Sequence, residues 1–284
     1  MRLVYHFAPS LFVLLAATAS GAGGLPSYTQ PGKATEPAAG EKLTAREITS
    51  RLFNAAPGAR VDLEEVNLTL LDLAELDFKR ADLDGANLYG ADLSRANLAG
   101  ASLVGARLDR ATITAADFSG ADLTDARILR PTIFTTLEVR TEEAPKFTGA
   151  KLVRIRSDGW LDRADFSHAD LTSAVFGGGA SREESLFSPA TLTSANFTKA
   201  IVREAKFPGA ALKYARFNEA DVRDANFRGA DLMCANFAGA NLAGADFTGA
   251  NLDEAELRGA IGVKQAVGLT SARNFDRAFL TSTP

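Results

Sequence analysis

Histidine and cysteine, the side chains most often used to bind metals or to attack substrates, are scarce in this chain of 284 residues. His6 lies in an apolar N-terminal segment, which leaves His168 and Cys234 as candidates. A structural zinc ion takes about four protein ligands, and a nucleophilic thiol needs an adjacent base. Neither set can be assembled from these two residues, so we expect no catalytic residues, no metal site and no cofactor. A single cysteine also allows no disulfide within the chain.

The residues best suited to binding lie in the middle of the sequence. Trp160 is the only tryptophan, and Arg154 and Arg156 stand close to it. Aromatic and arginine side chains often anchor protein interfaces. Two irregular segments, 134–143 and 177–184, flank this region, and loops commonly carry partner contacts. The predicted contact residues are Phe134, Leu137, Arg140, Arg154, Arg156, Trp160 and Arg182. The alternative is that both segments are insertions that the fold tolerates without using them.

A period of five residues organises most of the chain. Alanine occupies every fifth position from Ala190 to Ala260, and a Leu, Phe or Val stands two residues after nearly every one. A helix repeats about every 3.6 residues and a strand about every 2, so neither fits this period as a continuous element. A short extended segment followed by a corner does fit, with the alanine and the central residue pointing inward.

Glycine often fills the last position of a unit, as expected for a type II turn that requires a positive φ. Other units have a charged residue there. At Arg80, Arg95, Arg110 and Asp125 we therefore expect a turn without positive φ.

The central residues indicate how many units make one coil. In the last block Phe alternates with an aliphatic residue every five positions, and the same type returns every twenty. Four sides of five residues therefore close one coil, with Phe on two opposite sides and alanines around a narrow axis. The predicted columns are Phe187, Phe207, Phe227 and Phe247; Leu192, Leu212, Leu232 and Leu252; and Val202 with Val222.

Units such as Ala81-Asp82-Leu83-Asp84-Gly85 and Ala240-Asn241-Leu242-Ala243-Gly244 resemble the repeats of the pentapeptide repeat family. The resemblance implies an all-β solenoid, a right-handed quadrilateral parallel β-helix with short helical caps, over residues 60–262 with loops near 134–146 and 177–186. It supplies no catalytic residue, because the family shares none. The best-understood members resemble rods of B-DNA and protect type II topoisomerases.

Both ends of such a solenoid need caps, because an open coil exposes unpaired backbone and invites association into oligomers. Thr44-Ala45-Arg46-Glu47 has the pattern of a capping box, which predicts a helical cap over residues 44–59. Ile48, Leu52 and Phe53 lie at helical spacing on it. Residues 263–284 leave the repeat and are predicted to fold back over the last coil. The apolar residues of this second cap are Val267, Leu269, Phe275, Phe279 and Leu280.

The first residues have a different composition. A basic start precedes an apolar stretch that ends at Ala17, and small residues follow. This pattern is typical of a secretory signal peptide, here residues 1–19, with a disordered apolar tail as the alternative. Residues 20–43, rich in Pro, Gly and Ala, would form a flexible linker. The stretch is too short to span a membrane. We therefore expect a periplasmic or secreted protein without a transmembrane segment in the mature chain.

Charge argues against a nucleic-acid partner. The chain has a net charge of −4, and no run of Lys and Arg forms a basic stripe. Between residues 61 and 133 there are thirteen Asp and Glu against seven Lys and Arg. Most of these Asp stand second in their unit, where they can hydrogen-bond the local backbone. An acidic docking face is the alternative.

These observations indicate a noncatalytic scaffold or protein-binding module outside the cytoplasm, with an unidentified protein partner. A DNA mimic that protects a type II topoisomerase is the alternative. The family and the acidic block favour it, but a signal peptide opposes it because the target is cytosolic. A second alternative is a carbohydrate-active enzyme built on a β-helix, which would need two carboxylates on one face.

Overall fold

The computed structural model of the chain describes residues 41–78, 80–133, 141–177 and 189–280. These residues belong to one compact unit, Ala38–Pro284. The expected signal peptide lies outside them. The regular elements are helix α1 (Ala45–Asn54), strands β1 (Arg127–Leu129), β2 (Arg156–Asp158) and β3 (Val175–Phe176), and 3₁₀ helices at Thr141–Glu143, Val263–Gln265, Leu269–Ser271 and Phe275–Arg277.

The rest of the unit is a ladder of single parallel bridges, and in the regular coils the bridged residues are twenty positions apart. The spacing changes to 29, 19 and 31 positions around the two irregular segments, as in Asp117–Lys146, Lys146–Asp165 and Asp165–Asn196. Each coil therefore has four sides, and the fold is a right-handed quadrilateral parallel β-helix, which confirms the predicted class. Successive coils lie about 4.8 Å apart, the usual separation of hydrogen-bonded strands. The first bridges are Asp62–Asp82 on the first side, Asn67–Asn87 on the second, Asp72–Asp92 on the third and Asp77–Asn97 on the fourth.

The interior consists of the alanines and the central residues, nearly all of which are completely buried. Phenylalanines occupy the second and fourth sides, as predicted. Phe207 stacks on Phe227 with ring centroids 5.3 Å apart and meets Phe217 edge to face at 6.4 Å. One column differs from the prediction. Phe176, and not Phe187, is the ring that stacks before Phe207, at 5.0 Å, and Phe187 lies outside the described residues.

The corners contradict the prediction for charged residues. Arg80, Arg95, Arg110 and Asp125 have φ values of 61°, 56°, 59° and 60°, like the glycines at equivalent corners. The cause is the ladder, since the corner N–H donates to the next coil, as from Arg95 to the Thr114 carbonyl at 2.8 Å. A corner without positive φ would lose this bond. The stack therefore imposes a conformation that costs an L-residue about 1–2 kcal/mol.

Helix α1 covers part of the first coil. Thr44 and Glu47 form both reciprocal hydrogen bonds of the capping box. Ile48 and Leu52 are buried in the core, whereas Phe53 is 81% exposed and does not contribute to the cap. The helix ends at Asn54, earlier than the predicted cap region. Residues 41–43, assigned to the linker from the sequence, already join the ladder, because the Asn67 N–H donates to the Glu41 carbonyl at 2.9 Å.

The C-terminal segment does not fold back over the last coil as predicted. It continues the ladder as one wider coil, in which the bridging residues are six positions apart. The extra residue on each side forms a 3₁₀ turn that follows a left-handed residue, such as Gly268 with φ 65°. Leu269 is buried, but Val267 and Phe279 are each 52% exposed. The bridging residues of this coil are Ile261, Val267, Arg273 and Phe279.

Candidate functional site

The two irregular segments leave the β-helix at neighbouring corners. The first departs after Ile133 on the third side, and the second departs after Gly177 on the second side. Trp160 occupies the third side in the coil between these two points and bridges to Thr191. The predicted separation of about seven sides is therefore confirmed. The predicted contacts Phe134, Leu137, Arg140 and Arg182 lie outside the described residues.

The corner before Trp160 is one residue shorter than the others. Arg156 and Trp160, which both bridge to neighbouring coils, are only four positions apart. Gly159 takes the place of the missing alanine, since its carbonyl accepts from the Thr191 N–H at 2.8 Å. Its φ of 84° is in the left-handed region, and an added Cβ would approach the Arg130 Cα at 3.4 Å. Glycine is therefore the residue that this corner accommodates without strain.

At the short corner a side-chain carboxylate takes the place of the backbone carbonyl that accepts a ladder hydrogen bond in the other coils. In the regular coil before it, the Arg110 N–H donates to the backbone carbonyl of Leu129 at 2.7 Å. At the next step the Arg130 N–H donates instead to Oδ1 of Asp158, also at 2.7 Å. Asp158 is 1% exposed, and the Nε of Arg130 lies 4.0 Å from its Oδ2. Asp158 is thus a buried acid held by one backbone donor and one nearby guanidinium.

Ser157 explains how the short corner closes on the inside. It stands where other units place Leu or Phe, and it is 2% exposed. Its hydroxyl donates to the Ile128 carbonyl at 3.0 Å. A small, hydrogen-bonded side chain therefore replaces a large apolar one at this point.

A cleft opens at this corner. Its lining residues include Arg130, Pro131, Asp158, Gly159 and Trp160, and its volume is about 290 Å³. Trp160 lies at the edge of the cleft and is 66% exposed, although aromatic rings elsewhere in the described coils are mostly buried. The cleft therefore combines an exposed ring, a guanidinium and a buried carboxylate.

The second side carries a column of arginines beside the cleft. Arg107, Arg127 and Arg156 occupy the same ladder position in three successive coils. The buried Asp109 accepts from Arg107 Nε at 2.8 Å and from Arg127 Nη2 at 3.0 Å, through the same oxygen. The expectation that no basic stripe forms is therefore wrong. These arginines are 20 and 29 positions apart, so a search for consecutive basic residues cannot find them.

The predicted arginines do not both face Trp160. Arg156 lies exposed on the second side, next to the cleft. Arg154 stands at the corner between the first and second sides and binds Asp125, with Nε 2.7 Å from Oδ1. These hydrogen bonds lower the pKa of the Asp125 carboxyl. The residues that join Trp160 in the cleft are Arg130 and Asp158, which sequence reasoning missed.

Seven of the thirteen acidic residues of the first block lie on the first side. Their second-position carboxylates accept from the backbone two residues later, as Asp62 does from the Glu64 N–H at 3.1 Å. The predicted local hydrogen bonding is confirmed. Over the first two coils this side nevertheless presents only acids among its charged residues. They are Asp62, Glu64, Glu65, Asp82 and Asp84.

The two residues first considered for chemistry stand at corners. His168 is exposed, with φ 59°. Cys234 is partly buried, and its sulfur lies 3.7 Å from Glu254 Oε2. Burial is the main cause that raises the pKa of the thiol, and the Glu254 carboxylate adds to it.

No group of three or more His, Cys, Asp or Glu suited to a metal ion occurs among the described residues. Within the same residues no helix has the length and apolar character needed to cross a membrane.

Comparison with known proteins agrees with this architecture. A family model described as "Pentapeptide repeats (8 copies)" matches residues 59–95 and 91–128, and one described as "Pentapeptide repeat region" matches residues 180–257. Together they span more than half of the chain. No curated protein matches it significantly in sequence.

Several solved structures are similar. HetL, a pentapeptide repeat protein involved in heterocyst differentiation regulation from Nostoc sp. strain PCC 7120, is 26% identical, with coverage of 78% of this chain and 90% of HetL and a TM-score of 0.38. A pentapeptide repeat protein from the Arabidopsis thaliana thylakoid lumen is 30% identical over 36% of this chain and 67% of its own, with a TM-score of 0.27. QnrB1, a plasmid-mediated fluoroquinolone resistance protein, is 16% identical over 67% and 84%, with a TM-score of 0.30.

Proposed function

The chain belongs to the pentapeptide repeat family, and from this premise we propose that it is a noncatalytic scaffold that binds a protein partner outside the cytoplasm. The β-helix supplies a rigid support whose interior is filled by stacked side chains. Any specific binding must then use the outer surface, and the short corner at Trp160 is one place where that surface departs from the five-residue repeat.

The observation that carries this proposal is the exposed Trp160 at the short corner. A tryptophan side chain offers a large rigid contact area, and such residues, with arginine, dominate the binding energy of many interfaces. Here the ring stands beside Arg130, which is held by its backbone bond to Asp158. A pre-organised site loses little conformational entropy when a partner binds.

The test is crosslinking in intact cells, followed by identification of the captured protein. Trp160→Ala should abolish specific capture. Tyr214→Ala is the matched control, because Tyr214 is also an exposed aromatic residue (54%) but stands at a regular corner. Equal capture by both variants and the unchanged protein would refute the proposed site. Shortening segments 134–143 and 177–184 to plain repeats would test whether these segments contribute to the same contact.

A location outside the cytoplasm is part of the proposal and rests on the apolar N-terminal stretch. Cell fractionation with mass analysis of the mature N-terminus tests it. We expect a start near Ser20 or Gly23. Cytosolic protein that retains Met1 or Arg2 would contradict export.

A second candidate function is protection of a type II topoisomerase by DNA mimicry. The all-acidic first side of the first two coils favours it, since a row of carboxylates can imitate phosphates. The arginine column on the next side opposes it. Supercoiling by DNA gyrase in the presence of a fluoroquinolone, with and without the purified protein, tests this candidate. Restored supercoiling would support it.

A further inference from the structure

We propose that the Trp160 cleft binds the side-chain amide of a glutamine from the protein partner. The amide N–H donates to Asp158 Oδ2, and the amide oxygen accepts from the Arg130 guanidinium. This inference rests on the proposed function, since it specifies the group that the partner presents at the same corner. A neutral ligand is expected because the guanidinium and the carboxylate of the cleft balance each other's charge.

One carboxylate oxygen of Asp158 is available to a ligand. Its Oδ1 accepts the Arg130 N–H at 2.7 Å. No group of the described residues donates a hydrogen bond to Oδ2, whose nearest cationic atom is the Arg130 Nε at 4.0 Å. Asp158 is 1% exposed and lines the cleft. An acceptor buried this deeply costs free energy when it has no donor, so a ligand that brings an N–H into the cleft is favoured.

The Arg130 guanidinium supplies the complementary donors. Its side chain is 60% exposed, and its five N–H groups make no hydrogen bond with the described residues. The separation of 4.0 Å from Asp158 exceeds the length of a hydrogen bond, so this ion pair leaves the donors available to a ligand. The backbone N–H of Arg130 is bound to Asp158 Oδ1, which fixes the base of the side chain.

Charged ligands are disfavoured in this cleft. A carboxylate that bound Arg130 would meet Asp158, and an ammonium that bound Asp158 would meet Arg130. Either would bring like charges together where burial limits screening. A neutral group with one donor and one acceptor avoids both repulsions. The primary amide of glutamine is such a group, because its NH₂ and its carbonyl oxygen lie at the two ends of one plane.

The depth of the cleft favours glutamine. Trp160 lies at the edge and is 66% exposed, whereas Asp158 lies at the base and is 1% exposed. A side chain must therefore reach past the ring to place its amide against the carboxylate. Glutamine has two methylenes before its amide, and these can pack against Pro131 and the Trp160 ring. The volume of about 290 Å³, at the small end of ligand pockets, suits one such side chain.

Tryptophan fluorescence tests the inference directly, because Trp160 is the only tryptophan of the chain. The probe is a blocked pentapeptide with one glutamine between two pairs of alanines. Two matched peptides carry glutamate or methionine at that position, since both are close to glutamine in size. We expect a saturable change with the glutamine peptide at concentrations up to about 10 mM, because one side chain gives weak affinity. The other two peptides should bind at least about tenfold more weakly, since neither offers both a donor and an acceptor in neutral form.

Asp158→Asn should reverse this preference. Its carbonyl oxygen can still accept the Arg130 N–H, but an NH₂ donor replaces Oδ2 and the guanidinium loses its counter-ion. The cleft then presents only donors, so the glutamate peptide should bind at least about tenfold more tightly than the glutamine peptide. A reversal of preference cannot arise from loss of folding. Asp72→Asn is the matched control, because it removes an exposed carboxylate of the Trp160 side several coils away, and it should leave the preference unchanged.

The contrary results are equally specific. Equal affinity for the three peptides, no saturable change with the glutamine peptide, or an unchanged preference in Asp158→Asn would overturn the inference. Binding of cellohexaose but of no peptide would also overturn it and assign the cleft to a neutral polysaccharide, whose hydroxyl groups likewise donate and accept.

The two proposals fail in different ways. If crosslinked capture depends on Trp160 but is unaffected by Asp158→Asn, the protein-binding function stands and the glutamine inference is wrong. If capture is independent of Trp160, the proposed function fails at this site even where the glutamine peptide binds the cleft.

Discussion

Replacing Asp158 by alanine should destabilise the β-helix more than replacing any exposed aspartate of the ladder. The substitution removes the acceptor of the Arg130 N–H, whose bond length is 2.7 Å. A buried donor left without a partner costs about 1–3 kcal/mol, and a bond to a charged acceptor lies in the upper part of that range. We expect a loss of about 2–3 kcal/mol.

For a domain of this size, 1 kcal/mol shifts the melting temperature by about 2–4 °C. Asp158→Ala should therefore lower it by about 5–10 °C, measured by circular dichroism. Asp158→Asn keeps a carbonyl oxygen at the same place, so its loss should stay below about 1 kcal/mol.

Asp72→Ala is the matched control. Asp72 is exposed and accepts only a local bond, from the Ala74 N–H at 3.2 Å. Its removal should cost less than about 1 kcal/mol. If Asp158→Ala is as mild as this control, or if Asp158→Asn is as damaging as Asp158→Ala, the carboxylate does not replace a missing carbonyl and the reasoning fails.

Three further outcomes can be measured. Phe227→Asp should unfold or shorten the helix, because it places an unpaired charge in a stack of rings, whereas Arg228→Asp on the surface should be tolerated; equal melting temperatures would contradict the assigned register. Hydrogen bonds from Arg223 lower the pKa of Asp221 from 3.8 to about 2. Because the folded value is the lower one, this carboxylate stabilises the fold above about pH 4, and the contribution is lost as the pH falls to 2. After allowance for solvent screening it is worth about 1 kcal/mol, so Asp221→Asn should be less stable at pH 7 but nearly equal to the unchanged protein at pH 2. Partial burial raises the pKa of the Cys234 thiol, so alkylation at pH 7 should be slower than for a free cysteine, and an equal rate would disprove the protection.

The regular part of the fold was predictable because its period is a direct record of its geometry. Alanine and the central residues recur every five positions because each side of the coil is built the same way. The alternation of Phe with aliphatic residues, as at Phe227 and Leu232, likewise follows from opposite sides sharing the space around one axis. These features are local, so a sequence read in order reveals them.

Features that depend on neighbouring coils were missed. The positive φ of Arg95 follows from a hydrogen bond to Thr114 in the next coil. Arg127 and Arg156 become neighbours only after an insertion between them is counted correctly, and that count depends on where the chain rejoins the ladder. Phe187 took the place of Phe176 in the predicted column for the same reason. The sequence did not reveal that Asp158 accepts the Arg130 N–H, because this carboxylate replaces a backbone carbonyl and no sequence pattern marks such a replacement.

The twenty-residue bridge has a consequence for how such a gene can change. Duplication or loss of twenty codons lengthens or shortens the protein by about 4.8 Å and returns every downstream residue to its own side. A change of five codons keeps the alternation of Phe and aliphatic residues within the downstream coils, but it turns everything downstream by a quarter of a revolution and sets Phe against aliphatic columns at the junction. Between Arg110 and Arg127, such a deletion would carry Arg127 and Arg156 to a different side from Arg107 and divide the arginine column. Changes of twenty codons therefore alter the length of the protein, whereas changes of five codons also alter which residues share a side of its surface.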